Sequence, residues 1–308
     1  MEAESLRGRE VGVALRPPLG LLACFAIGVG AALVGLLPWL LTGMRLPLQN
    51  LWATDRAPDS MPVALLPLSQ YTVTLVAALV VTGSAIAGLV TRATRGRRVR
   101  RGGALLAVGV LLPQAAAAVQ SAVVVSDGLE TSSWARFYLL AVTAVAVVSV
   151  VLGILVLLLT ARARVPGAAI GFSVAALAAG IWLDSLLVPF GSAPADGTVM
   201  MLGLTHWVPA ILVGAALAWC GFSTAGRIVA AVAGLLILWI GSAAITAVSA
   251  AAGTRTLLSR PTEMLDYGLA VFRMAVGIPE LVLPPLLLAL AIGVVGFFAL
   301  RAARRRAR

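Results

Sequence analysis

The sequence predicts an all-α, polytopic transmembrane helical bundle of about eight spans, with both termini on the same side of the membrane. Three observations predict this fold class. The 308-residue chain is 61% hydrophobic and 11% charged, whereas a soluble domain carries roughly 25% charged residues. Apolar stretches repeatedly reach the length of about 20 residues that a helix needs to cross the hydrocarbon. The arginines concentrate in every second connector between these stretches, as they do in membrane proteins of fixed orientation.

The predicted spans follow one another along the chain with short polar connectors between them. They are Leu19–Leu41, Leu66–Val90, Ala104–Val125, Phe137–Thr160, Ala168–Val188, Trp207–Ala225, Ile228–Ala251 and Leu281–Leu300. The first is too long for the core of a signal peptide and lacks a small-residue cleavage site, so we expect it to be retained. No connector is long enough for a soluble domain. Residues 1–308 are therefore expected to form a single integral membrane domain.

Arginine bias predicts the orientation. Seventeen of the 23 arginines lie in one set of connectors and tails and six in the other. The positive-inside rule places the larger set in the cytoplasm, including the tails 1–17 and 301–308. Because these arginines flank apolar spans, the net charge of +11 does not indicate nucleic acid as a partner. The absence of Lys, with abundant Ala, Gly, Val and Leu, favours a GC-rich bacterial genome, and hence the bacterial plasma membrane.

One connector holds a dense arginine cluster that has two interpretations. Its arginines either only anchor the topology or also attract anionic lipid, each being worth about 1 kcal/mol near a charged leaflet. The cluster consists of Arg92, Arg95, Arg97, Arg98, Arg100 and Arg101. The bilayer is thus the first predicted partner, followed by other membrane subunits or a second copy of the chain.

The segment before the last span is not simply polar. Residues 269–276 are apolar apart from Arg273, and Pro279, Pro284 and Pro285 follow closely. The apolar run of segment 268–280 either lies in the interface or re-enters the membrane. The prolines predict an irregular start to the last span.

A weak internal repeat also has two interpretations. Ser69-Gln70-Tyr71 opens span two and Thr205-His206-Trp207 opens span six, each with two polar residues before an aromatic one. One interpretation is a four-helix unit duplicated in parallel, with halves 1–165 and 166–308. The other is that apolar helices resemble each other by composition alone.

Several enzyme classes are excluded by what the chain lacks. Without Lys there is no phosphate-binding loop of the Walker type and no Schiff base, and a single His excludes multi-histidine metal motifs. Ser173 and Ser223 stand in near-elbow contexts without the final glycine of the hydrolase motif. His206 lies roughly 25 Å from Ser223 along the predicted helix, so no Ser–His pair can form. We expect no catalytic set, no metal site and no cofactor.

Asp184 is the sharpest candidate residue, because an ionisable group inside a span is costly and is a functional hypothesis by default. The alternative is a carboxylate that reaches headgroup water beside Trp182. Further candidates for an outward-facing polar vestibule are His206, Gln70, Glu280 and Arg273. Gln114 and Gln120 are intramembrane amides that either pack against a neighbouring helix or line a pathway.

These observations leave three function classes. An accessory or scaffold subunit of a membrane complex is the first expectation. The alternative is a secondary transporter or lipid-handling permease whose vestibule is lined by the polar candidates. A membrane enzyme is third, because no nucleophile, base and orienting group can be assembled from the sequence.

Overall fold

The structure is a computed structural model that describes residues 18–192, 195–257 and 260–306. The expected cytoplasmic tail 1–17 lies outside the described residues, as do the last two residues of the tail 301–308. Within these ranges there are helices and no strands, and eight helical segments are long and apolar enough to span a membrane. The predicted all-α polytopic bundle is therefore confirmed.

Eleven α-helices build the described part of the bundle. The first five are single spans: α1 Leu21–Leu41, α2 Val73–Ala93, α3 Gly102–Gly128, α4 Ser133–Arg162 and α5 Val165–Leu187. The others are α6 Asp196–Thr205, α7 Val208–Cys220, α8 Ala225–Leu236, α9 Ser242–Gly253, α10 Pro261–Gly277 and α11 Pro279–Arg306.

Span six differs from its predicted bounds. It covers Gly197–Cys220 instead of Trp207–Ala225, because α6 lies before the predicted start and α7 ends at Cys220. Two features explain the shift. Gly221 has a φ of +71°, which ends α7 at a residue without a side chain. The polar residues at the two ends of α6 are typical of a connector, although the middle of this helix is apolar.

The bundle has two chemically different ends. We call the end that carries Arg92, Arg162, Arg227 and Arg301 the arginine-rich end, and the opposite end the arginine-poor end. At the arginine-rich end, Arg92 donates hydrogen bonds of 2.5 Å to the carbonyl oxygens of Thr160 and Ala163. These carbonyls belong to the last turn and the C-cap of α4, where no following turn of helix supplies N–H donors. Arginine therefore fastens the end of α2 to the end of α4.

The same pairs of spans pack together in both halves of the chain. Spans one and two, one and three, and two and four are in contact, and so are five and six, five and seven, and six and eight. Each pair meets at a glycine that allows close approach of the helices. These contacts are Gly35–Gly83, Gly28–Gly109, Gly88–Thr160, Gly180–Pro209, Gly234–Ser173 and Gly214–Ile292. Packing thus repeats between residues 18–165 and 166–306, and the predicted duplication remains a prediction.

α10 is not a span of its own. It runs back along α9, with Gly268 beside Ala251 and the Val276 carbonyl oxygen 3.3 Å from the indole nitrogen of Trp239. Segment 268–280 therefore follows span seven lengthwise from the arginine-poor end. The chain then breaks at Ile278, which is extended, before α11 begins.

The connector of residues 42–69 is irregular, and its second part, residues 61–69, is mostly buried at the arginine-poor end. Gln120 accepts from the backbone N–H of Leu65 at 2.9 Å, and the Ser121 hydroxyl accepts from that of Leu66 at 2.7 Å. The Trp39 indole N–H donates to the Ala64 carbonyl oxygen at 2.8 Å. Side chains of α1 and α3 thus satisfy backbone groups that a buried loop would otherwise leave unpaired.

Candidate functional site

The structure brings two of the five vestibule candidates together. Asp184 and His206 line one cavity of about 380 Å³ near the arginine-poor end, between α5, the α6–α7 junction, α9 and α11. Asp184 lies about 30 Å along α5 from Arg164, close to the thickness of the hydrocarbon core. The site is a vestibule at one end of the spans and does not lie at their midpoint.

Thr205 positions the Asp184 carboxylate. Thr205 is 7% exposed; its hydroxyl donates to Oδ1 of Asp184 and also lies 3.0 Å from the carbonyl oxygen of Leu202. A hydroxyl has one proton, so it serves one of these acceptors at a time. The hydrogen bond to Oδ1 joins α5 to the last residue of α6, and turning the hydroxyl to Leu202 would release the carboxylate.

Interruptions in spans six and seven and the break before span eight meet at this cavity. Span six is broken at His206–Trp207, between α6 and α7. Span seven contains a π-helical turn at Ile237–Gly241, between α8 and α9. The α10–α11 break at Ile278 lies directly before the cavity-lining residue Leu281. Such π turns and broken helices recur at functional sites in membrane proteins.

Most residues that line the cavity are apolar, and its hydrogen-bond acceptors come from a few polar groups. The hydroxyls of Ser242 and Thr246 donate to carbonyls of their own helix, at 2.6 and 3.1 Å, so their oxygen lone pairs remain available. Pro209 has no N–H for the carbonyl of Thr205, and Pro285 has none for that of Leu281. Together with the Asp184 carboxylate, these oxygens suit a ligand that is cationic or carries several donors.

Glu280 and Arg273 stand apart from this set. Both side chains are exposed, and neither lines the cavity of Asp184, although Leu281 next to Glu280 does. The described residues contain one ion pair, Arg260–Glu263 at 3.2 Å, so Glu280 and Arg273 do not form one with each other. The chain is extended at Ile278, directly before Pro279, whereas Pro284 and Pro285 lie inside the continuous helix α11.

Gln70 lies at a second, mostly apolar cavity of about 570 Å³ between α4, α9 and α10. The Tyr138 hydroxyl accepts from the backbone N–H of Gln70 at 3.3 Å and donates to Gln49. The side-chain oxygen of Gln70 has no hydrogen-bond partner among the described residues. Gln70, at the start of span two, and His206, at the break within span six, thus line different cavities.

The two intramembrane glutamines bind neighbouring segments. Gln114 on α3 is 1% exposed, donates to the Val80 carbonyl of α2 at 2.9 Å and accepts from Ser84 at 3.3 Å. Gln120 holds the connector of residues 42–69, as described above. Trp182 donates its indole N–H to the Gly35 carbonyl of α1 at 2.9 Å; it therefore joins two helices beside Asp184.

Sequence reasoning missed the partners of Asp184. In the sequence Thr205 stands out only as part of a weak repeat, and its contact with Asp184 joins two different helices. Trp239, Ser242 and Thr246 had a usable signal, because their spacing of three and four residues places them on one helix face. Within the described ranges no three His, Cys, Asp or Glu side chains are close enough together to hold a metal ion.

The fold defines the class, a multi-pass α-helical membrane protein, and in this bundle a cavity near the arginine-poor end contains the Asp184 carboxylate. No protein-family model, curated protein or solved structure matches the chain. Its activity is therefore argued from the site alone.

Proposed function

We propose that the protein is a permease of a bacterial plasma membrane that takes a small cationic or donor-rich solute into the cavity of Asp184. The observation that carries this proposal is that the interruptions in spans six and seven and the break before span eight meet at one cavity that contains a carboxylate and several acceptor oxygens. Transporter sites are typically built from such broken helices, whose freed backbone groups bind the solute. The arginine bias puts the arginine-poor end outside, so the solute enters from the exterior.

The chemistry of Asp184 and Thr205 supports a gated binding site. An ionised carboxylate attracts a cation, and a bound cation competes with the Thr205 hydroxyl for Oδ1. The hydroxyl can then turn to the Leu202 carbonyl oxygen at 3.0 Å, at the end of α6. Binding would thus be linked to hydrogen bonding at the break in span six.

The matching of span pairs in the two halves also supports transport. Parallel repeats related by an axis along the membrane normal are a common plan of transporters. In this chain the half with the Asp184 cavity contacts the other half mainly through α5, which packs on α2 and α4. Movement of one half against the other would therefore act directly on the helix that carries Asp184.

The first test is access of water to the cavity. Cys24 and Cys220 are free and buried, so a Cys24→Ser, Cys220→Ser background is suitable for substituted-cysteine labelling. In that background, Ser242→Cys should react with a membrane-impermeant thiosulfonate added from the arginine-poor side. Ser149→Cys is the matched control, because Ser149 is 2% exposed within α4.

Methylammonium and guanidinium serve as minimal cationic probes in the same experiment. They should protect Ser242→Cys from the reagent, and Asp184→Asn should remove that protection. If Ser242→Cys reacts as slowly as Ser149→Cys, the cavity is closed to water and the permease proposal is wrong. If labelling is fast but neither cation protects, the cationic class of solute is wrong.

An accessory subunit is the second candidate, favoured by the ordered connector of residues 42–69. Its hydrogen bonds to Gln120, Ser121 and Trp39 hold a defined surface at the arginine-poor end, which is what a docking partner requires. Native mass spectrometry of protein purified gently from its own membranes separates the two candidates. A stoichiometric protein partner favours the accessory function, whereas a lone chain or homo-oligomer favours the permease.

A further inference from the structure

The arginine-rich end contains a cavity that neither the permease nor the accessory proposal uses. It has a volume of about 350 Å³ and lies between α7, α8 and α11. Four arginines line it: Arg227, Arg301, Arg304 and Arg305. Among the described residues of the connectors at this end there is no Asp or Glu. The cavity is therefore a concave, strongly positive surface at the depth where lipid headgroups lie.

The position of Arg227 points to an anion. Arg227 lies in the first turn of α8, where the helix dipole disfavours a cation and favours an anion. Its Nη1 donates to the Ser223 hydroxyl at 2.7 Å, which fixes the side chain but leaves other N–H groups for a ligand. An anion in the cavity would neutralise Arg227 and also meet the free N–H groups at the start of α8.

An apolar groove lies next to this cavity, and the Trp219 side chain lines both. The groove has a volume of about 520 Å³ and lies between α2, α5 and α7, with Arg92 and Trp219 at its arginine-rich end. Its far end is marked by Thr82, about 15 Å from Arg92 along α2, which is half of the hydrocarbon thickness. The groove thus has the length of one leaflet and the apolar character of a lipid chain.

From this juxtaposition we infer a binding site for one anionic glycerophospholipid, with its phosphate in the arginine cavity and an acyl chain in the groove beside Trp219. Charge complementarity selects the headgroup, since arginine binds phosphate oxygens in a bidentate manner. Trp219 lies between the two parts, with the Arg92 guanidinium carbon 5.5 Å from its ring centroid. An aromatic ring at this level is suited to the boundary between headgroup and chain.

The test compares lipids on the purified, delipidated full-length protein. Phosphatidylglycerol should bind and raise the melting temperature, phosphatidylcholine should not, and native mass spectrometry should count one retained anionic lipid. Arg227→Gln with Arg301→Gln should weaken phosphatidylglycerol binding about 30-fold, at roughly fivefold for each arginine. Arg97→Gln with Arg100→Gln removes the same charge from exposed positions outside the cavity and should leave binding unchanged.

Two further measurements test the same site. If the variant with Arg227→Gln and Arg301→Gln does not fold, Arg304→Gln with Arg305→Gln takes its place, because both residues are exposed at the end of α11. Brominated phosphatidylglycerol should quench the fluorescence of the protein less after Trp219→Phe. If the Arg227→Gln, Arg301→Gln variant binds phosphatidylglycerol as tightly as the Arg97→Gln, Arg100→Gln variant, the arginines only anchor the topology. Equal binding of phosphatidylglycerol and phosphatidylcholine would mean the same. Displacement of the lipid by equimolar inorganic phosphate would mean that the ligand is phosphate alone.

Discussion

Gly28 on α1 and Gly109 on α3 face each other so closely that a β-carbon on Gly28 would lie 2.9 Å from the α-carbon of Gly109. The same β-carbon would lie 2.2 Å from the carbonyl oxygen of Leu106. Backbone atoms cannot move aside as a flexible side chain can. The contact between spans one and three therefore depends on the absence of side chains at this point, as is usual where helices pack closely in lipid.

Replacing Gly28 by Ala should separate α1 from α3. We expect a loss of about 1–3 kcal/mol from overpacking, which exceeds the gain of up to about 1 kcal/mol from the better helix propensity of Ala. Gly30→Ala is the control, because nothing lies within 4 Å of a β-carbon there. Thermal unfolding in detergent, followed by circular dichroism, should show Gly28→Ala melting earlier than wild type and Gly30→Ala melting no earlier.

Arg92→Lys should loosen the arginine-rich end. The planar guanidinium reaches the carbonyls of Thr160 and Ala163 together, at 2.5 Å each, whereas an ammonium group on one atom cannot bridge both in that geometry. We expect a loss of about 1–2 kcal/mol of unfolding free energy. Arg100→Lys, at an exposed position, should be neutral in the same unfolding measurement. Equal stability of the two variants would show that Arg92 acts only through its charge.

Trp239→Phe should free the end of α10. The substitution keeps an aromatic ring but removes the N–H that donates to the Val276 carbonyl at 3.3 Å. Losing a hydrogen bond of about 1 kcal/mol should speed amide exchange roughly fivefold around the α10–α11 break. Trp134→Phe is the control, since that ring is 48% exposed on α4. Unchanged exchange near Ile278 in the Trp239 variant would mean that this bond does not hold the break.

Hydropathy and arginine placement predicted the spans well, because an apolar helix in lipid must be both long and free of charge. Short helices carry no such requirement. The sequence predicts a connector where α6 lies, because Asp196, Thr205 and His206 stand at the ends of this helix. The π turn at Ile237–Gly241 has an ordinary apolar sequence, so nothing in its composition marks it.

Contacts between helices were much harder to predict than the helices themselves. Ser84 and Gly88 have the four-residue spacing of small residues that is typical of close helix contacts, and they pack on Gly153 and Thr160 of α4. Equally important pairs such as Gly28–Gly109 were missed, because small residues are frequent in every span of this chain. Asp184 stood out because it is ionisable, whereas its partner Thr205 is an ordinary residue that only the fold brings to it.

The bond between Thr205 and Asp184 can be measured as a coupling between two substitutions. Thr205→Val removes the donor from the carboxylate and should cost about 1.5–3 kcal/mol of unfolding free energy, as expected for a hydrogen bond to a charged group. In an Asp184→Asn background the same change should cost only about 1 kcal/mol, because the acceptor is then neutral. The difference between the two costs is the coupling energy of the pair.

Thr246→Val is the control, since its hydroxyl lines the same cavity but donates to the Ser242 carbonyl at 3.1 Å. If Thr205→Val costs the same in both backgrounds, the hydroxyl donates to the Leu202 carbonyl oxygen, 3.0 Å away. Asp184 is then not linked to the break in span six through Thr205.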